Sequence, residues 1–198
     1  TPGSVSQSHL KQYIRAEGET LYFTDPVLRE GFLDKDGHNI ARVVDGKLIV
    51  NQPEFSDRLH WDNKTGLFYI PDMKSNHSGV YAIENKSGEK GTKTEVKLTV
   101  YSPVSQPRVQ ASYSASPSTT SCSLLCSVEN GRGVTLSWLT EGRSLISTKN
   151  SALSTNLTLQ LEAAGLSEPL VCSATNPVDS STTSVRLEDY CPVLSFIH

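Results

Sequence analysis

Apolar side chains in this chain recur at every second position over short stretches, with almost no three-to-four-residue helical spacing. The stretches are rich in Val, Ile, Leu, Thr and Tyr and are punctuated by Gly, Asp, Asn, Pro and Ser, the pattern of short strands joined by tight turns. In the first half they fall at 12–15, 20–24, 31–35, 40–44, 47–50, 58–61, 67–70, 80–84 and 92–101. In the second half they fall at 108–113, 123–128, 135–139, 144–146, 157–161, 170–174 and 183–187. The prediction is all-β: two successive sandwiches, a larger one of nine strands and a smaller one of seven. Asp36-Gly37 and Asp45-Gly46 are dipeptides that tolerate positive φ in a two-residue hairpin, so they predict three consecutive antiparallel strands on one sheet. Pro103 and Pro107 stiffen the stretch between the halves and remove two ladder donors. The expected organisation is therefore a domain at 1–101, a linker at 102–107 and a second domain at 108–198.

Cysteine usage places these domains in a compartment. Cys122, Cys126, Cys172 and Cys191 all lie in the second half, and an even number confined to one domain implies two disulfides in an oxidising environment. Cys122-x3-Cys126 also has the spacing of zinc ligands, but the later two cysteines are separated by 18 residues, where a structural zinc site supplies a second close pair. Four sequons, at Asn63, Asn76, Asn85 and Asn156, predict N-linked glycans and agree with a secreted or cell-surface chain. The 198 residues carry a net charge of −3, with 36% hydrophobic and 20% charged residues, a composition that argues for folded domains and against nucleic-acid binding by bulk charge. No run of about eighteen apolar residues occurs. The start, Thr1-Pro2-Gly3-Ser4, lacks a signal pattern, and the segment 192–198 stops abruptly after a cysteine. The natural protein is expected to continue into a stalk, lipid anchor or membrane helix.

The second half also carries a core signature. Cys126 and Cys172 are spaced to lie on facing strands of two sheets, with Trp138 packed over their bridge, as in an immunoglobulin constant-type sandwich. Leu124 and Val128 share the face of Cys126, and Leu136 that of Trp138. Cys122 and Cys191 are then expected to clamp the start of an early strand to the last strand. The first half repeats the skeleton without sulfur, as a variable-type sandwich. Ser78-Gly79-Val80-Tyr81 forms the corner that returns a tyrosine hydroxyl to upstream backbone, and Ile83 stands where the second cysteine would. The run Leu21-Tyr22-Phe23 takes the place of the first cysteine, and Leu33 that of the core tryptophan. His77 replaces the aspartate common before such a corner, leaving Arg58 without its usual partner.

Taken together, these features resemble the SLAM-type lymphocyte adhesion family of the immunoglobulin superfamily, which includes the T-cell rosette receptor and its LFA-type and lipid-anchored ligands. The resemblance covers nearly the whole chain. It rests on Phe55-Ser-Asp-Arg58-Leu59, the run 65–70, Ser78-Gly-Val-Tyr81, Cys122-x3-Cys126, Ser137-Trp138, Cys172-Ser-Ala-Thr-Asn-Pro177 and Cys191. His77 and Leu33 depart from common family residues. The resemblance implies a cell-surface adhesion or co-stimulatory protein on the extracellular side of the plasma membrane. It would bind another immunoglobulin-superfamily protein, heterophilic or homophilic, through the sheet of the two hairpins and the last two strands of domain one. Alternation then points Phe32, Asp34 and Glu84 outward beside Ala82, and Arg42 and Val44 on the next strand; Glu30, Asp36 and Asn39 complete the expected partner-binding set. Asn85, next to Glu84, is expected at the edge of that face, where a glycan would shield it.

An enzyme is the contrasting reading. The histidines at 9, 38, 60, 77 and 198 show no HExxH spacing, and neither a Gly-x-Ser-x-Gly elbow nor a phosphate-cradling glycine loop occurs, so no catalytic residue, metal or cofactor is expected. A secreted or viral decoy of such a receptor would share the fold and the site.

Overall fold

The computed structural model describes residues 10–116, 118, 120–129, 132–150 and 156–192. The chain divides into two compact units, Thr1–Ser102 and Pro103–His198.

In the first unit every apolar run becomes a strand: β1 Lys11–Ala16, β2 Leu21–Tyr22, β3 Gly31–Lys35, β4 His38–Val44, β5 Lys47–Val50, β6 His60–Trp61, β7 Phe68–Ile70, β8 Gly79–Asn85 and β9 Thr92–Tyr101. One sheet has the order β1-β9-β8-β3-β4-β5 and the other β2-β7-β6. β1 pairs in parallel with β9, whereas the remaining neighbours are antiparallel. The run expected at 58–61 is shorter than its apolar pattern because the Arg58 and Leu59 N–H groups bond back to the Phe55 carbonyl, at 3.1 and 2.9 Å, in a turn. Both Asp-Gly hairpins have positive φ at both central residues: Asp36 50°, Gly37 80°, Asp45 51° and Gly46 70°.

The core lies between the sheets, because alternation sends one side chain in two inward. Leu21, Phe23, Leu33 and Ile83 are at most 2% exposed, so hydrocarbon fills the place of a bridge and its tryptophan. Each such residue contributes about 1.5–3 kcal/mol by burial. One irregularity matters for the site. Leu33 faces Ala41 and Asp34 faces Asn39, so Ile40 is the extra residue of a β-bulge. Ile40 and Ala41 both turn inward, and Asn39 is set back on the outer side opposite Asp34.

The corner forms as the residues require. The Tyr81 hydroxyl donates to the His77 carbonyl at 2.5 Å, and burial raises its pKa above the ordinary phenol range. His77 is buried at the end of a 3-10 turn, Ser75–His77, where its Nδ1 accepts the Lys74 N–H at 2.9 Å and its ring lies 6.0 Å from that of Phe55. None of the described ion pairs includes Arg58.

In the second unit the strands are β10 Arg108–Ala115, β11 Thr120–Glu129, β12 Thr135–Thr140, β13 Arg143–Lys149, β14 Asn156–Glu162, β15 Leu170–Thr175 and β16 Ser180–Val185. They form sheets β10-β11-β14 and β13-β12-β15-β16. The fourth strand thus sits beside the third, joining the four-stranded sheet. Cys126–Cys172 bridges the sheets, and Trp138, opposite Cys172 in register, donates its Nε1 proton to the Leu159 carbonyl at 3.0 Å. Cys122–Cys191 is the second disulfide, and no cysteine is free. The bridges close spans of 46 and 69 residues, about 4 kcal/mol each in the chain-entropy model. The strand expected at 183–187 ends at Val185, and Leu187–Tyr190 is a helical turn, α1. There the Glu168 carboxylate accepts the Leu187 N–H at 2.6 Å, and the chain turns back to seat the bridged Cys191. The segment expected as a linker is bonded into this unit: Asp179 accepts the Val104 N–H at 2.8 Å, and Thr183 donates to the Pro107 carbonyl at 2.6 Å.

His77 gives the first unit a pH dependence. Burial lowers its pKa, and Arg58, Lys35 and Lys74 lower it further against the opposing charge of Asp72. Since the folded value lies below the unfolded value of about 6.5, the histidine's contribution is complete above that pH and is lost as pH falls below it. Urea unfolding of the first unit is expected to show lower stability at pH 5 than at pH 7.5. His77→Asn, which keeps an acceptor for the Lys74 N–H but does not titrate, is expected to flatten that difference.

Candidate functional site

The register of the six-stranded sheet of the first unit brings the outward side chains into rows. Ile49, Arg42, Phe32, Glu84 and Lys93 stand opposite one another across β5, β4, β3, β8 and β9. Lys86 follows β8 and folds over this row: its Nζ is 4.9 Å from the centre of the Phe32 ring and 3.9 Å from Glu84 Oε1. An exposed ion pair of this kind contributes about 0–1 kcal/mol, so Glu84 is poised by Lys86 without being consumed by it. Glu30 lies at the same end, where its N–H donates to Ser87 Oγ at 3.0 Å and its carbonyl accepts the Lys86 N–H at 2.8 Å.

The next row is Asp34, Ala82 and Glu95. Asp34 accepts from Asn39 Nδ2 at 2.8 Å, and Asn51 donates to Asn39 Oδ1, so the three polar groups hold one another. Val80 stands opposite Lys97 in the row beyond. Asp36 has a different place from the rest. In the β3–β4 turn it exchanges backbone and side-chain bonds with Val80: its N–H reaches the Val80 carbonyl, and its Oδ1 accepts the Val80 N–H, both at 2.8 Å. A Cβ at residue 79 would fall 2.8 Å from the Asp36 carboxylate, and φ there is 156°, so the position requires Gly79. Asp36 therefore pins the end of the sheet.

Two comparisons with known proteins returned nothing: no family model matches the chain, and no curated protein sequence does. Solved structures do match. The CD2-binding domain of CD58 (lymphocyte function-associated antigen 3) aligns with TM-score 0.65 and 20% identity, over 89% of this chain and 96% of that one. Bovine butyrophilin aligns with TM-score 0.70 and 14% identity, over 90% and 95%. Murine CEACAM1b aligns with TM-score 0.62 and 24% identity, over 87% and 94%. This chain is a pair of tandem immunoglobulin-like domains.

Within the first immunoglobulin-like domain, the structure gathers all eight expected partner-binding residues on or beside one sheet. Glu30, Asp36, Arg42 and Val44 are exposed, and Phe32, Asp34, Asn39 and Glu84 are half-buried. The alternation of the 92–101 run adds Lys93, Glu95 and Lys97, which the sequence reading left out although the same period-two rule gives them. Lys86 carried no such signal, because its position follows from a loop. The structure corrects the expectation for Asn85. It shares the inward side of β8 with Tyr81 and Ile83, is half-buried, and accepts the Ser87 N–H through Oδ1 at 3.3 Å, so it does not project from the outward face. Asn63, Asn76 and Asn156 are exposed. Among the described residues no group of three or more His, Cys, Asp and Glu could hold a metal ion, and the four cysteines are consumed in bridges. No described helix is long and apolar enough to cross a membrane.

Two outcomes follow from this placement. Asp36→Ala is expected to cost about 1 kcal/mol by leaving the Val80 N–H without its acceptor, whereas Arg42→Ala changes stability by under about 0.5 kcal/mol; urea melts compare them. Peptide mass spectrometry of material from a secretory host is expected to find glycans on Asn63, Asn76 and Asn156.

Proposed function

We propose that this chain is the extracellular region of a cell-surface adhesion or co-stimulatory protein of immune cells. It binds another immunoglobulin-superfamily protein through the outward face of β3, β4, β5, β8 and β9. The observation that carries the reading is the row from Ile49 to Lys93, in which an aromatic ring and an aliphatic side chain are interleaved with charges of both signs. That composition is suited to recognition: apolar groups give contact area, while charges penalise wrong partners and set association rate more than affinity. The likeness to a CD2-binding domain adds support from a protein of the same fold. The face also carries both signs within one surface, which permits pairing with a second copy. Binding through so few exposed apolar groups is expected to be weak and fast, and to be strengthened by many copies on opposed cells.

The test uses fluorescent multimers of the whole chain on leukocytes, counted by flow cytometry, with sedimentation analysis for self-association. Arg42→Glu and Glu84→Lys are expected to abolish cell staining or self-association with unchanged melting. Arg186→Glu and Glu162→Lys, in the second domain, are expected to leave both intact. Retained binding in the first pair with loss in the second would place the site elsewhere.

A further inference from the structure

The first two strands of the second domain, β10 and β11, are built almost without charge. No Asp, Glu, Lys or Arg occurs between Arg108 and Glu129, and seven of the ten residues 112–121 are Ser or Thr, with a proline at 117. Protein surface ordinarily intersperses charges of both signs, and this stretch has none. The register turns its hydroxyls to solvent. Ser112 stands opposite Ser123 and Ser114 opposite Ser121, on the side of the sheet away from the buried Cys122, Leu124 and Cys126. Ser112, Ser114, Ser116, Ser118 and Ser121 are exposed. The Ser123 hydroxyl, by contrast, donates to Glu162 Oε1 at 2.7 Å.

β10 is also an edge. Among the described residues it pairs only with β11, along its whole length and without a bulge. An edge of this kind is a template for pairing with another chain, and natural edges are guarded by charge, proline or a bulge. Here the strand's one charge is Arg108 at its first position, and Tyr113, 45% exposed, adds aromatic surface. The opposite edge of the same sheet, β14, begins at Asn156 of a sequon and ends at Glu162.

We propose that the exposed hydroxyls of 112–121 are acceptors for O-linked glycans that begin with N-acetylgalactosamine, and that these sugars guard the β10 edge. A segment rich in Ser and Thr with proline has the composition that carries such sugars, and a proline at 117 favours extended backbone at Ser116 before it. The two disulfides require an oxidising compartment, which is on the route where nucleotide-activated sugars meet secreted chains. In the transfer, a serine Oγ attacks the anomeric carbon of a nucleotide-activated N-acetylgalactosamine. The bond from that carbon to the nucleoside diphosphate breaks, and the diphosphate leaves with the electron pair and takes up the hydroxyl proton. A bulky, hydrated sugar on Ser112 or Ser114 then holds any incoming strand away from β10.

The experiment uses the whole chain from an animal cell line that makes N-acetylgalactosamine only when fed it, grown on galactose with and without that sugar. The tryptic peptide 109–132 contains no sequon, so any sugar on it is O-linked. With feeding, its mass is expected to rise by one or more N-acetylhexosamines, and fragmentation is expected to place them within 112–121. Without feeding, the increment is expected to disappear. Sedimentation of the unfed protein is expected to shift from monomer toward larger species, and Gln110→Lys, which puts a charge on the edge, is expected to restore the monomer. A peptide of unmodified mass from fed cells, a first sugar that is not an N-acetylhexosamine, or a sugar placed outside 112–121 would overturn the site. Identical sedimentation with and without the sugar would overturn its role at the edge.

Discussion

The pairing of β3 with β8 is the constraint on which the first domain turns. One register sets Leu33 opposite Ile83 inside and Phe32 opposite Glu84 outside. Because side chains alternate, a slip of one residue would send Glu84 into the core and Ile83 into water, so burial fixes the register and the register fixes the outer face. The same pair of strands is pinned at one end by the two bonds between Asp36 and Val80, which only a glycine at position 79 can accommodate. The outward rows are therefore presented by a rigid support, which lowers the ordering cost of any partner that docks on them.

The two domains reach stability by different routes. In the second, Cys126–Cys172 under Trp138 and Cys122–Cys191 at the edge restrict the unfolded chain. The first has no cysteine and relies on Phe23, Phe68, Tyr81, Leu33 and Ile83, all buried between its sheets. A hydrocarbon core is indifferent to reductant, and the buried His77 at its corner makes it sensitive to acid instead.

Much of this was legible in the residues, for identifiable reasons. Strands have a period of two, and burial of one face writes that period into the sequence, so each of the sixteen strands among the described residues overlaps an expected run. The Asp-Gly turns carry their own conformation and read directly. What escaped depends on contacts between distant segments. The bulge at Ile40 breaks the alternation by a single residue, and only its partners on β3 reveal it. The short helix at Leu187–Tyr190 follows from the need to bring Cys191 back to Cys122 and from a capping carboxylate at Glu168. Asn85 reads as the edge of the outer face by its adjacency to Glu84, yet neighbours in a strand point to opposite sides, and its side chain lies on the inward side of β8. Asp36 reads as a surface charge, and its anchoring role appears only when β8 is laid beside the turn.

The pattern of charge on the outer face bears on the recognition proposed for it. Arg42, Glu84 and Lys93 alternate in sign along one row, with Phe32 between the first two and Lys86 above it. Opposite charges so close together largely cancel beyond the Debye length of about 8 Å, so their influence is felt in the last steps of approach. At contact the alternation matters fully, because a shift of one strand spacing would set like charges against each other. As the proposed interface, such a face would discriminate by register, while the exposed Val44 and Ile49 and the half-buried Phe32 would supply the apolar contact that any matching partner would share. On the proposed binding reading, affinity for a single copy would be limited by small apolar area, and selectivity would be carried by the order of charges across the strands.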